Sequence, residues 1–165
     1  MNIDSTLVSN LSTRGVYTLL LFISKEITVT AGKLGKQTFP KGYYTYTGSA
    51  LGKGSSLKHR ISRHLKKHKK MFWHIDYLMV DSNVSVKAIV ITETGEKIEC
   101  KVNSYLMWTV GTKILVKGFG ASDCNNGCKS HLLFFAEFVD PNKIVQELLA
   151  QLQLLPDVSS VIVIK

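Results

Sequence analysis

Apolar and polar positions along the chain change period several times, and the changes predict strands and helices interleaved in one mixed domain. Gly15 to Ile23 (GVYTLLLFI) is a short, continuous apolar run of β-forming residues, which predicts a central strand buried on both faces. Glu26 to Thr30 alternates Ile27 and Val29 with polar neighbours, predicting a second strand paired with the first through Ser24-Lys25. Ala31 to Gly35 is turn material, and Phe39-Pro40-Lys41-Gly42 leads into the aromatic strand Tyr43 to Thr47, which breaks at Gly48. Ser55 or Ser56 then caps a helix predicted over 57–68, with Leu57, Ile61 and Leu65 as its narrow apolar stripe. Phe72 to Met79 reads as a short helix in preference to a strand.

Val84 to Thr92 predicts a strand with Val84, Val86, Ala88 and Val90 on one face and Ile89 and Ile91 on the other. A helix is expected from Gly95 through Met107, followed by loop from Thr109 to Gly127 and a strand over 131–138. Asp140-Pro141 opens a helix carrying Ile144, Leu148, Leu149 and Leu152, and Ser159 to Ile164 closes as a strand. Residues 1–13 form a polar lead with room for one frayed helical turn, and 14–165 read as a single domain. The fold class is α/β of the α+β kind, a small central and mostly antiparallel sheet flanked by helices.

Composition narrows the function. A chain of 165 residues supports one well-buried core, and a net charge of +9 favours a polyanionic partner, nucleic acid before membrane. No apolar run reaches the roughly 20 residues needed to span a bilayer, and the polar N-terminus lacks a secretory core. Three cysteines, an odd number, do not make a disulfide framework, so a cytoplasmic protein with reduced thiols is expected.

The chemistry-bearing residues gather around the glycine turn and the helix after it. Helical spacing puts Arg60 and His64 one turn apart on one face, where an arginine can hold a phosphate bidentately and a histidine can shuttle a proton. The plainer reading is a solvated basic helix face. Tyr17 and Tyr46 meet if their strands are neighbours, and a hydroxyl beside an arginine has a lowered pKa suited to activating water. Lys66-Lys67-His68-Lys69-Lys70 is a basic cluster that becomes a backbone clamp if nucleic acid is the substrate. Cys124-x3-Cys128-x2-His131 offers part of a zinc site, which Cys100 or His74 would have to complete. The glycine–asparagine insert favours a packed loop with free thiols.

Gly15-Val16-Tyr17, Tyr46-Thr47-Gly48-Ser49-Ala50 and Arg60-x-x-Arg63-His64, in that order, resemble the signature of the GIY-YIG nuclease superfamily. Within it the chain is similar to the DUF123 branch, known mainly from archaea and sometimes fused to a DNA repair glycosylase. Phe72-Trp73-His74-Ile75-Asp76-Tyr77-Leu78, Gly118-Phe119-Gly120-Ala121-Ser122-Asp123-Cys124 and Ser130-His131-Leu132 look like that branch's other marks. Roughly residues 14 to 135 are covered. The resemblance implies a three-stranded antiparallel sheet flanked by helices and metal-dependent cleavage of phosphodiester bonds. The wide spacing between Tyr17 and Tyr46 then implies an inserted hairpin, and the C-terminus adds a helix and a strand.

Carried onto this sequence, the resemblance makes Tyr17 the base that activates water and Tyr46 a residue that positions phosphate or nucleophile. Arg60 steadies the pentavalent transition state, and His64 stands close to the nucleophile. Glu99 is the best match for the single metal-binding glutamate, holding Mg²⁺ or Mn²⁺, with Glu93 and Glu96 as alternatives. Gly48, Ser49, His74 and Asp123 are supporting positions, His74 reading more simply as a hydrogen-bonded edge of the core. Lys53, Lys58, Arg63, Lys66, Lys67, Lys69 and Lys70 become the nucleic-acid-binding set. The expected function is a metal-dependent endonuclease, with DNA favoured over RNA and a place in repair or recombination. Two alternatives stay open, a non-catalytic nucleic-acid-binding module on the same fold and a zinc-stabilised partner-binding domain.

Overall fold

The computed structural model describes residues 10–11, 14–109, 111–156, 158 and 160–164, so nearly all of the polar lead expected over 1–13 lies outside the described residues. In chain order the first elements are β1 (Gly15–Ile23), β2 (Ile27–Thr30), a 3-10 turn (Gly32–Leu34), β3 (Lys36–Phe39) and β4 (Gly42–Ala50). Then come α1 (Leu57–Leu65), α2 (His74–Met79), β5 (Val84–Glu93) and α3 (Glu99–Met107). The chain continues through β6 (Thr112–Lys113), β7 (Leu132–Ala136), α4 (Pro141–Leu152) and β8 (Ser160–Ile164).

β1 is the axis. Its apolar run is buried on both faces, as the sequence predicts, because β4 and β5 pair antiparallel along its two sides. This trio is the sheet that the resemblance implies, but the sheet is wider. β7 adds to β4, β6 to β7 and β8 to β5, giving six antiparallel strands in the order β6-β7-β4-β1-β5-β8.

Two strand expectations are corrected. With both edges of β1 occupied, β2 has no place beside it and pairs instead with β3, forming a separate two-stranded hairpin. The amide of Ser24 bonds to the carbonyl of Asn83, which turns the chain away from β1. This hairpin is the insertion between the two tyrosine motifs. In β5, Leu20 of β1 pairs with Ala88 but Leu21 pairs with Val86, leaving Lys87 as an extra residue. That irregularity reverses the alternation. Val84 and Val86 therefore share a face with Ile89 and Ile91, and Ala88 and Val90 face the other way.

Two apolar layers result. Tyr17, Leu19 and Leu21 of β1, Tyr44 and Tyr46 of β4, and Ile89 and Ile91 of β5 pack beneath α1, α2 and the hairpin. Val16, Leu20, Ala88, Val90, Leu133 and Phe135 pack against Val102 and Leu106 of α3 and Ile144, Leu148 and Leu152 of α4. Helix ends follow local chemistry. Ser56 caps α1 by accepting from the His59 amide, and Asp140 caps α4 ahead of Pro141. α1 stops at Leu65, short of the expected His68, because Lys69 donates to the carbonyls of Arg63 and His64. α3 begins at Glu99 and not at Gly95, since 95–98 remain turn, and the 131–138 strand shortens to β7. Among the described residues no helix is long and apolar enough to cross a membrane.

Gly15 shows how closely the layers meet. A Cβ there would press against the Thr92 carbonyl oxygen and come within 2.8 Å of Leu57 Cδ1. Gly15→Ala is expected to cost about 1–3 kcal/mol through overpacking. Gly52→Ala, where a Cβ meets nothing within 4 Å, should stay within about 0.5 kcal/mol of wild type. Urea denaturation of the two variants checks the contrast.

Candidate active site

The antiparallel register sets Tyr17 of β1 directly opposite Gly48 of β4. A Cβ on Gly48 would lie 2.5 Å from the Tyr17 hydroxyl, so only glycine leaves room for it. Tyr17 is 1% exposed, and its hydroxyl sits 2.7 Å from Nε2 of His64, which is equally buried on α1. The Arg60 guanidinium acts on the same hydroxyl by its charge. The Tyr17–His64 bond runs from O–H to Nε2 in the Nδ1–H tautomer of the imidazole and from Nε2–H to the phenol oxygen in the other.

Burial, reinforced by the Lys69 ammonium, pushes the His64 pKa down to about 3, so the imidazole is neutral near pH 7. The expected lowering of the tyrosine pKa is corrected. Burial, opposed by Arg60, raises the Tyr17 hydroxyl above the ordinary phenol range, and burial does the same to Tyr46. The hydroxyls are neutral donors and acceptors, not phenolates.

These residues open onto a cavity of about 370 Å³. Tyr17, Tyr46, Gly48, Ser49, Arg60, His74, Glu99 and Asp123 all line it, while His64 stands just behind Tyr17. Tyr46 turns its ring edge-on to His64 and to Phe119. His74 Nδ1 accepts from the Gly120 amide and so holds the 118–120 turn against Tyr46. Glu99 reaches the wall from the start of α3, half-buried, and Asp123 from the loop before β7. Of the three glutamates considered as metal ligands, neither Glu93 nor Glu96 lines the cavity.

The basic set has two roles. Arg63 pairs with the fully buried Asp76 at 2.6 Å, and Lys67 donates to the carbonyls of Met79, Asp81 and Val84. The Lys69 side chain is 3% exposed and caps α1. These three side chains therefore also hold the fold together. Lys53, Lys58, Lys66, Lys67 and Lys70 are exposed. Asp76 anchors this region. Burial opposes its ionisation, but the amides of Trp73 and Phe72 and the Arg63 guanidinium outweigh that and lower its pKa.

Sequence reasoning gave no role to Trp73 or Phe72. The guanidinium carbons of Arg60 and Arg63 lie 4.7 and 4.8 Å from the Trp73 ring centre, and Arg60 Nε also donates to Ser55 Oγ at 2.7 Å. Arg60 is thereby held on the cavity wall. Phe72, 76% exposed, stands at the mouth. The available signal was an aromatic pair directly after a basic run.

Beside the cavity, Cys100, Cys124, Cys128 and His131 put their ligand atoms within 4.8 Å of one another, a group that could hold a metal ion. The fourth residue is Cys100 and not His74. The three cysteines are free thiols, as the packed-loop reading expects.

The chain matches the family model described as "Domain of unknown function DUF123" over residues 16–154, most of its length, and it belongs to that family. No curated protein and no solved structure matches it.

The depressed histidine has a consequence for stability. As pH falls below 6.5, the unfolded chain takes up a proton on His64 that the folded chain accepts only near 3. Folding stability should therefore drop by about 1.4 kcal/mol per pH unit in that window. Urea midpoints measured from pH 7 to pH 4.5 should fall for wild type and fall less steeply for His64→Gln.

Proposed function

We propose that this protein is a metal-dependent endonuclease of the GIY-YIG superfamily that hydrolyses phosphodiester bonds in DNA. The observation that carries the reading is the convergence of Tyr17, Tyr46, Arg60 and Glu99 on one cavity with His64 behind them, from elements far apart in the chain. The exposed Lys53, Lys58, Lys66 and Lys70 supply charge for the phosphate backbone around it.

The donor set on the cavity wall fits a hard divalent cation. Glu99 and Asp123 offer carboxylate oxygens and no soft ligand, and Mg²⁺ or Mn²⁺ bound by one or two carboxylates keeps several waters. When bound, such an ion neutralises charge on the phosphate and on the leaving oxygen.

The remaining work falls to the chain's own residues. Arg60, held by Trp73 and Ser55, donates to the phosphoryl oxygens as charge builds on them. Tyr17 is too weak an acid to act as a phenolate, so it relays. Its oxygen takes a proton from the attacking water while its own proton passes to His64 Nε2 across the 2.7 Å hydrogen bond. The imidazole is neutral near pH 7 and so has a lone pair to receive that proton, but burial makes it a weak base, so it holds the proton only transiently. Tyr46, with Thr47 and Ser49 beside it, bounds the space where the phosphate sits, and Phe72 at the mouth offers a flat face to an unstacked base.

The test is cleavage of nicked, flapped, branched and plain duplex DNA and structured RNA, with Mg²⁺ or Mn²⁺ and with EDTA. Wild type should cut DNA only with metal. Glu99→Gln should lose activity by about 10³-fold while its DNA affinity changes by no more than about twofold. Tight binding with no cleavage of any substrate would favour a binding module on this fold. With His64 near 3 and Tyr17 above its ordinary range, the rate should also show no inflection at about pH 6.5. A pH–rate profile at saturating DNA checks that.

A further inference from the structure

Cys100 lies in the first turn of α3, Cys124 and Cys128 flank the Gly127 turn, and His131 immediately precedes β7. Cys100 Sγ is 3.4 Å from Cys124 Sγ and 3.7 Å from His131 Nε2. A disulfide would bring two sulfurs to about 2.05 Å, so the first pair is not bonded. Around a tetrahedral Zn²⁺, with Zn–S near 2.3 Å and Zn–N near 2.0–2.1 Å, two sulfurs lie about 3.8 Å apart and a sulfur and a nitrogen about 3.6 Å. The two spacings are close to these values, and all four ligand atoms lie within 4.8 Å of one another. Three thiolates and an imidazole are soft to borderline donors, unlike the carboxylates of the cavity.

We propose that Cys100, Cys124, Cys128 and His131 form a closed zinc centre that staples the 118–131 loop to the start of α3 and so fixes Glu99 and Asp123 on the cavity wall. The coupling is written in the sequence order. Glu99 directly precedes the ligand Cys100, Asp123 directly precedes the ligand Cys124, and His131 itself lines the cavity. A ligand cannot move without carrying its neighbour. The protein frame around the centre is already bonded. Asn103 Nδ2 of α3 donates to the Ser130 carbonyl, and the His131 amide donates to the Phe119 carbonyl. A four-ligand site leaves no position for water or substrate, so this zinc holds structure while the hard cation of the cavity serves hydrolysis. The zinc centre stands on geometry alone; its effect on Glu99 and Asp123 matters to catalysis only through the nuclease reading.

Metal analysis of the purified full chain tests the centre without nucleic acid, so its outcome is independent of whether the protein cuts. One zinc per chain is expected. After chelation, Co²⁺ should restore thiolate-to-cobalt charge transfer and the visible bands of a tetrahedral site. Cys128→Ser should weaken zinc binding by roughly a hundredfold or more, while His131→Cys, which keeps four ligands, should retain one equivalent. Stoichiometric iron, or a chain that takes up neither zinc nor tetrahedral cobalt, overturns the assignment. The staple is read by hydrogen exchange. Removing zinc from wild type should speed exchange at least about tenfold in 118–131 and the first turn of α3, with β1 unchanged. Unchanged exchange in that loop overturns the staple even if zinc is present. The chelated wild type gives the same readings should Cys128→Ser fail to fold.

Discussion

The site depends on one buried hydrogen bond, between the Tyr17 hydroxyl and His64 Nε2 at 2.7 Å. Burying a phenol and an imidazole is costly unless each meets a partner of matching role. The pairing of β1 with β4 supplies the room, because the residue facing Tyr17 is Gly48. The stripe of α1 supplies the partner, because Leu57 and Ile61 seat the helix on the sheet and swing His64 inward. Strand register, glycine placement and helix packing therefore converge on a single hydrogen bond. His64 Nδ1 has no hydrogen-bond partner, so beyond the bond at Nε2 its ring is held by packing against Tyr46 and Trp73.

Around that bond the charges are arranged by depth. Asp76, fully buried, gathers Arg63 and two backbone amides, and Lys69 comes within 3.8 Å. This cluster fixes the turn that presents Trp73, and Trp73 in turn holds Arg60 beside the cavity. A surface ion pair would contribute little, but a buried carboxylate makes its partners obligatory. The basic run of the sequence thus does two jobs. Arg63, Lys67 and Lys69 hold helix and loop ends together, and the exposed lysines, Lys67 among them, shape the field outside.

The sequence disclosed the strands and helices where period and capping agree, as in β1, α1 and α4. The family resemblance implied one site for Tyr17, Tyr46, Arg60 and Glu99, and all four line one cavity. The sequence could not disclose β2's partner, since that depends on β5 claiming the second edge of β1 from 60 residues downstream. Nor could periodicity show the reversal at Lys87, because a bulge changes the face without changing the residues. The tyrosine pKa went the other way because sequence proximity to arginine says nothing of burial, and burial is the larger effect. Cys100 joined the cysteine cluster from 24 residues before Cys124, a meeting that only the packing of α3 against the loop creates.

The protonation state of His64 in the folded protein tests the account most directly. Nitrogen-15 chemical shifts of the imidazole, followed from pH 8 to about pH 4.5, separate the tautomers and the cation. The account predicts a neutral ring with the proton on Nδ1 and an acceptor shift at Nε2 that stays constant over the whole range. Protonation of both nitrogens with a midpoint near pH 6.5, or a proton fixed on Nε2, would contradict it, because Tyr17 would then have no acceptor for its proton.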